Sequence, residues 1–135
     1  MKIIHLANAL VTNSKQEMLA VRKIGSMYFQ MVGGKIEDNE LPMETLKREF
    51  LEEINVDIDK HNVSFLGEHQ TQAVNEKDTL VHAQVFHVEL KRNSEVKISA
   101  EIEEYVWIDF EHYHNFKLAH LLEEFSLPIW LDMQK

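Results

Sequence analysis

The chain has 135 residues, the length of one domain, and 44% of them are hydrophobic, enough to bury a core without cross-links. It has no cysteine, which excludes a disulfide framework, a Cys-ligated zinc site and a Cys nucleophile, and points to a reducing, cytoplasmic setting. A formal net charge of −9 excludes a broad surface for nucleic acid polymers, yet leaves room for a small phosphorylated ligand, because bound divalent cations can reverse the sign of a site locally.

The stretch MKIIHLANALVTNSK opens the chain with one Lys and an apolar run. His5 and Asn8 break the run, so residues 2–12 are expected to form a largely buried strand rather than a secretory signal. Asn13-Ser14-Lys15 is a turn signal, and residues 17–23 follow as its hairpin partner. Residues 24–32 read as a loop or short strand ending at Gly33-Gly34. Pro42 suits the first turn of a helix, where its missing N–H costs nothing, and the helix is expected over 42–54. Asn55 then tolerates the left-handed backbone that ends many helices.

Residues 63–74 and 79–90 read as two strands joined by a short connection, followed by a charged loop over 91–101 and a strand over 104–109. Leu118, Leu121, Leu122 and Phe125 recur at helical spacing, so a second helix is expected over 116–125, stopped by Pro128. No segment approaches the about 20 apolar residues that span a bilayer. The order of strands, helix, strands, helix fits a mixed sheet with helices packed on it, as one domain over residues 1–135.

The first helix carries the chemistry. Each residue advances about 100°, so Met43, Leu46, Phe50 and Ile54 share an apolar side while Glu49, Glu52 and Glu53 gather on another. Three carboxylates at this spacing suit a hard cation such as Mg²⁺ or Mn²⁺. A solvated acidic face has the same pattern. The surroundings favour the cation: Gly33-Gly34 lets backbone approach a ligand closely and offers a free carbonyl, and Arg48 is placed to pair with a loop acid such as Glu40.

Gly34, then Glu40 six positions on, then Arg48-Glu49-Phe50, Glu52-Glu53 and Val56 resemble the signature of the Nudix hydrolases, of the MutT type. Two positions depart from it. Asn55 stands where the family has Gly, and Val32 stands where many members carry Pro. The resemblance implies a Nudix-type α/β/α sandwich with a mixed sheet. It implies a divalent-cation-dependent enzyme that cleaves a nucleoside diphosphate linked to another moiety.

By position, Glu49, Glu52, Glu53 and the Gly33 carbonyl would hold Mg²⁺ or Mn²⁺, and Arg48 would orient the glutamates by pairing with Glu40. A further acid on a later loop often completes such sites. Here Glu101 is the first candidate, with Glu103 and Glu104 as competitors. Among substrates, the compact chain favours a nucleoside triphosphate, intact or damaged, cut to monophosphate and pyrophosphate. Nucleotide sugars, ADP-ribose among them, come next, and a nucleotide-sensing module that does not cut is the competing class.

Other residues offer less. Glu111, His112 and His114 give no complete zinc set. His82 and His87 belong to an inner strand, as packing or pocket residues. Tyr28 or Phe29 would stack on a base or fill core. Ser14, Ser26 and Ser64 lack a nucleophile elbow, and Gly33-Gly34-Lys35 lacks the spacing of a phosphate-gripping loop.

Overall fold

The structure is a computed structural model and describes residues 1–135. Six strands form one sheet: β1 (Lys2–Thr12), β2 (Met18–Lys23), β3 (Val32–Lys35), β4 (Asn62–Gln72), β5 (Thr79–Glu89) and β6 (Ile102–Ile108). Their order is β4-β5-β1-β2-β6, and β3 also pairs with β1. β1 and β5 run parallel in register from Lys2↔Thr79 to Thr12↔Glu89, while every other pairing is antiparallel, so the sheet is mixed.

Side chains alternate across a strand, and β1 uses both faces. Ala7, Ala9 and Val11 point to one core, where Leu46, Phe50 and Ile54 of helix α1 (Pro42–Ile54) dock. Leu10 points to the other core, with Met31, Leu118, Leu122 and Trp130. Small Ala side chains let α1 lie close to the sheet. The result is an α/β/α sandwich. No helix is long and apolar enough to cross a membrane.

α1 begins on Pro42, and the Glu44 carboxylate reaches back 2.8 Å to accept from the Leu41 N–H. It ends at Asn55, which takes the left-handed conformation (φ 56°, ψ 39°), with its N–H bonded to the Phe50 carbonyl. The Asn therefore does the work of the expected Gly. On the apolar side, Met43 is exposed, and Thr45 and Glu53 are buried instead.

The last helix departs from expectation at both ends. Residues 116–119 are extended, because Phe29 and Leu118 form a bridge in which the Phe29 N–H donates to the Lys117 carbonyl at 2.8 Å and the Ala119 N–H to the Phe29 carbonyl at 2.8 Å. Helical structure starts at His120 and does not stop at Pro128. A π-helical turn (Leu122–Ser126) leads directly into α2 (Leu127–Met133). A proline ring clashes with the carbonyl four residues back, and a widened turn just before it relieves that clash. The extra length seats Trp130 fully buried, donating its indole N–H to the Gln16 carbonyl at 2.9 Å.

Candidate functional site

Three elements meet at the site: β3 with its two glycines, the loop over 36–41, and α1. Gly33 has φ 144°, and a Cβ there would lie 2.2 Å from the Ala7 carbonyl oxygen. Only glycine lets β3 run this close to β1. Gly34 is required for a different reason. A Cβ on it would sit 2.4 Å from Glu49 Oε2, so the Glu49 carboxylate occupies the space a side chain would fill.

Arg48 organises the acids around it. Its Nε donates to Glu40 at 2.8 Å and its Nη2 at 2.9 Å, a two-pronged pair that fixes the loop onto the helix. Glu40 also accepts from the Thr45 hydroxyl at 2.8 Å and from the Glu37 N–H at 3.0 Å. The hydrogen bonds from Arg48, then that from Glu37, hold the Glu40 carboxyl down at about 2. Arg48 Nη1 lies 2.6 Å from Glu49 and 3.5 Å from Glu52. Hydrogen bonding to Glu40 pushes the Arg48 pKa further above its already high range.

The three glutamates differ sharply in exposure. The Glu52 side chain is 55% exposed, that of Glu49 13%, and that of Glu53 only 2%. Burial pushes the Glu53 carboxyl up to about 8, helped by the neighbouring Glu49 and opposed by Lys23. Lys23 Nζ stands 3.9 Å from Glu53 Oε2, and the Gly33 N–H donates to Glu53 Oε1 at 3.4 Å. A buried, nearly unpaired carboxyl beside a second one is costly without a cation to neutralise it. The donors are all hard oxygens, and Gly34 leaves open the space in which they stand. These residues fit a divalent cation. With Arg48 drawing Glu49 and Glu52 outward and Glu53 turned inward, no three acidic or histidine side chains close on one point.

The loop over 91–101 reaches the same end of α1. The Lys97 N–H donates to the Ile54 carbonyl at 3.1 Å, the Ser99 N–H to the Glu53 carbonyl at 3.1 Å, and Asn55 Nδ2 to the Lys97 carbonyl at 2.6 Å. Glu101 is exposed, and its carbonyl accepts from the Ile24 N–H at 3.1 Å, one residue beyond Lys23. Glu103 and Glu104 are exposed on β6, where Glu104 is paired with Arg22 at 3.0 Å.

On the other face of the sheet, a cavity of about 400 Å³ opens between β1, β3, the loop after β4 and the last helix, and Gly33, Gly34 and Lys23 form part of its wall. The site and the cavity thus share a boundary. Tyr28 and Phe29 do not line it: Phe29 packs edge-on against Phe116 at 5.4 Å, and Lys117 lies over the Tyr28 ring at 4.6 Å. Gln30 and Met31 line it instead. His87 is buried against Thr12 at 2.8 Å, and burial lowers its pKa. His112 pairs with Asp109 at 2.6 Å and belongs to no cluster.

Sequence reasoning missed Lys23 and Thr45. Glu53's burial was also missed, although helical arithmetic contains it. Seven residues bring a helix back to within about 20°, so Glu53 shares the direction of Leu46, which is fully buried.

Comparison with known proteins gives the family. Residues 6–127 match the NUDIX domain. No curated protein matches the chain in sequence. Among solved structures, the chain is similar to a MutT protein from Methanosarcina mazei Go1 (TM-score 0.79, 23% identity, 99% of this chain and 96% of that one). It is also similar to the dihydroneopterin triphosphate pyrophosphohydrolase of E. coli (0.76, 13%, 98% and 97%). A third is the NUDIX domain of Shewanella oneidensis NrtR in complex with ADP ribose (0.75, 13%, 99% and 89%). The chain belongs to the NUDIX domain family and is a hydrolase of pyrophosphate bonds. Nudix hydrolases generally use divalent cations.

Proposed function

We propose that the chain cleaves a nucleoside triphosphate to its monophosphate and pyrophosphate with the help of Mg²⁺ or Mn²⁺. The observation that carries this is the Glu53 carboxyl, buried beside Glu49 at a glycine turn that a Cβ would block. Glu49, Glu52, Glu53 and the Gly33 carbonyl would hold the cation. When bound, a divalent cation supplies neutralisation of phosphoryl charge and a more acidic water.

The chain's own residues do the rest. Glu40 and Thr45 fix Arg48, and Arg48 sets the rotamers of Glu49 and Glu52. Lys23 stands between Glu53 and the cavity, where an ammonium can meet a phosphate. Glu101, held beside Ile24, is the candidate to accept a proton from the attacking water. The cavity beyond Gly33 is large enough for the nucleoside.

A triphosphate is favoured by one of the similar structures, a pyrophosphohydrolase named for a triphosphate substrate. A second reading, ADP-ribose or a nucleotide sugar, has its own support in the ADP ribose bound by the NrtR domain. The deciding experiment incubates purified protein and Mg²⁺ with nucleoside triphosphates, ADP-ribose, nucleotide sugars and dinucleotides, and identifies products by mass. Monophosphate and pyrophosphate from a triphosphate support the first reading. AMP and ribose 5-phosphate from ADP-ribose support the second. No phosphoanhydride cleavage across the panel leaves a nucleotide-binding module.

A further inference from the structure

Asn55 closes α1 with a left-handed backbone (φ 56°). Glycine makes the same turn at less conformational cost, so the side chain needs a reason of its own. The contacts supply one. Asn55 Nδ2 donates to the Lys97 carbonyl at 2.6 Å, across 42 positions of sequence. The Lys97 N–H in turn donates to the Ile54 carbonyl at 3.1 Å. Ile54 and Asn55, neighbours at the end of the helix, thus grip both backbone polar groups of one loop residue. A two-point hold of this kind fixes the orientation of the loop backbone as well as its distance.

The loop over 91–101 has no helix or strand of its own, so its place depends on such ties. Val96 packs on the core that α1 covers. The last four carbonyls of a helix have no partner within it, and the loop meets two of them: Lys97 donates to Ile54 and Ser99 to Glu53, each at 3.1 Å. At the far end the Glu101 carbonyl accepts from the Ile24 N–H at 3.1 Å, and Ile102 stands opposite Lys23 in the β2–β6 register. The Ser99 hydroxyl is buried without a partner and adds nothing to the hold. Among side chains, it is Asn55 that reaches over to hydrogen-bond the stretch leading to Glu101.

We infer that Asn55 is a positioning residue: its carboxamide locks the loop over 91–101 to the glutamate helix, so that Glu101 keeps a fixed place relative to Glu53. The ties form a closed circuit. Ser99, two residues before Glu101, is bonded to the Glu53 backbone. Ile24, bonded to Glu101, follows Lys23, and Lys23 Nζ returns to Glu53 Oε2 at 3.9 Å. This rests on the role proposed above for Glu101 and adds the residue that holds its loop. A glycine at position 55 keeps the helix end and loosens the loop.

The test uses the full chain and the variants Asn55→Gly, Asn55→Asp and Glu101→Gln, with the double variant N55G/E101Q. Asp keeps the shape and the left-handed turn but has no donor, so it separates the lost bond from the added freedom of glycine. Two readouts are taken: amide hydrogen exchange by NMR in EDTA, and kcat and KM for the best substrate of the panel with Mg²⁺. In N55G and N55D the amides of Lys97, Ser99 and Ile102 should exchange about fivefold faster, the worth of one hydrogen bond, while those of α1 keep their protection. Turnover should fall about fivefold with KM unchanged. In the E101Q background, N55G should cause no further loss, because both changes act through the same group.

Unchanged exchange over 97–102 in both Asn55 variants would overturn the inference. So would the same loss of kcat from N55G with and without Glu101, since Asn55 would then act through α1 alone. A wild-type kcat in N55D beside an impaired N55G would assign the effect to glycine freedom and overturn it too. Wild-type kcat in both Asn55 variants beside an impaired E101Q would leave the role of Glu101 standing and refute that of Asn55. Full activity in E101Q would refute both together.

Discussion

Replacing Glu53 by Gln should stabilise the metal-free protein at pH 8 while destroying its activity. The ordinary carboxyl value of 4.5 is the unfolded reference, and burial raises it to about 8 in the fold. Between those values the folded state holds a proton that the unfolded state has released, so the unfolded state binds fewer protons. Stability then falls as pH rises, by about 1.4 kcal/mol per unit. From pH 5 to pH 8 this amounts to about 3 to 4 kcal/mol lost by the wild type, for a carboxyl that is almost wholly buried. Gln has the same shape, carries no charge, and still accepts from the Gly33 N–H. The assay is thermal unfolding of both proteins in EDTA at pH 5 and pH 8. The melting temperatures should nearly coincide at pH 5. At pH 8 the variant should melt about 10 °C higher, since 1 kcal/mol moves a domain of this size by about 3 to 5 °C. Taking the difference between the two proteins cancels the titration of every group that does not touch Glu53. Added Mg²⁺ should raise the wild type and leave the variant in place. A variant no more stable than wild type at pH 8, or equally displaced at both pH values, would refute the burial argument.

Turnover of the preferred substrate should fall by orders of magnitude in both Glu52→Gln and Glu53→Gln with the circular dichroism spectrum retained, and full activity in both would remove the catalytic role of the helix. The two glycines should fail differently. In Gly34→Ala the new Cβ meets a movable carboxylate, so melting should shift little while kcat falls about 100-fold from misplacement of Glu49. In Gly33→Ala the Cβ meets the Ala7 backbone, which cannot yield, so denaturant unfolding should show a loss of about 3 kcal/mol or more. Asn55→Gly keeps the left-handed turn and deletes only the Nδ2 bond to Lys97, a loss of about 1 kcal/mol. Asn55→Ala also puts a strained residue at φ 56° and should lose about 1 kcal/mol more, so equal stability of the two variants would contradict the turn geometry.

Much of this layout can be read from the sequence because it is local. The extent of α1, its proline start and its asparagine end depend on neighbours within a few residues, and so does the pairing of Arg48 with Glu40 across eight positions. What is not local cannot be read. The bridge between Phe29 and Leu118 consumes the residues that look like the first turn of the last helix, and nothing near Leu118 announces a partner 89 positions away. The π turn ahead of Pro128 is another case. Local rules stop a helix at proline, whereas burying Trp130 gives a tertiary reason to continue through it.

Polar residues at apolar positions carry a kind of information that periodicity discards. In residues 2–12 the pattern marks a buried strand, and Asn8 is an interruption to be tolerated. In α1 the pattern marks three glutamates as one exposed face, and Glu53 is averaged into it. Both residues are buried, and both carry a polar group that the protein alone does not satisfy: an amide oxygen without a partner, and a carboxyl that burial forces up. They lie on opposite faces of the sheet, on either side of Gly33, which lies opposite Asn8 in the β1–β3 register and donates its N–H to Glu53. A fold selected for stability alone would have replaced both by Leu. Their placement puts two unmet polar groups on either side of the point where β3 passes closest to β1, and glycine stands at that point because a Cβ there would meet the Ala7 carbonyl oxygen.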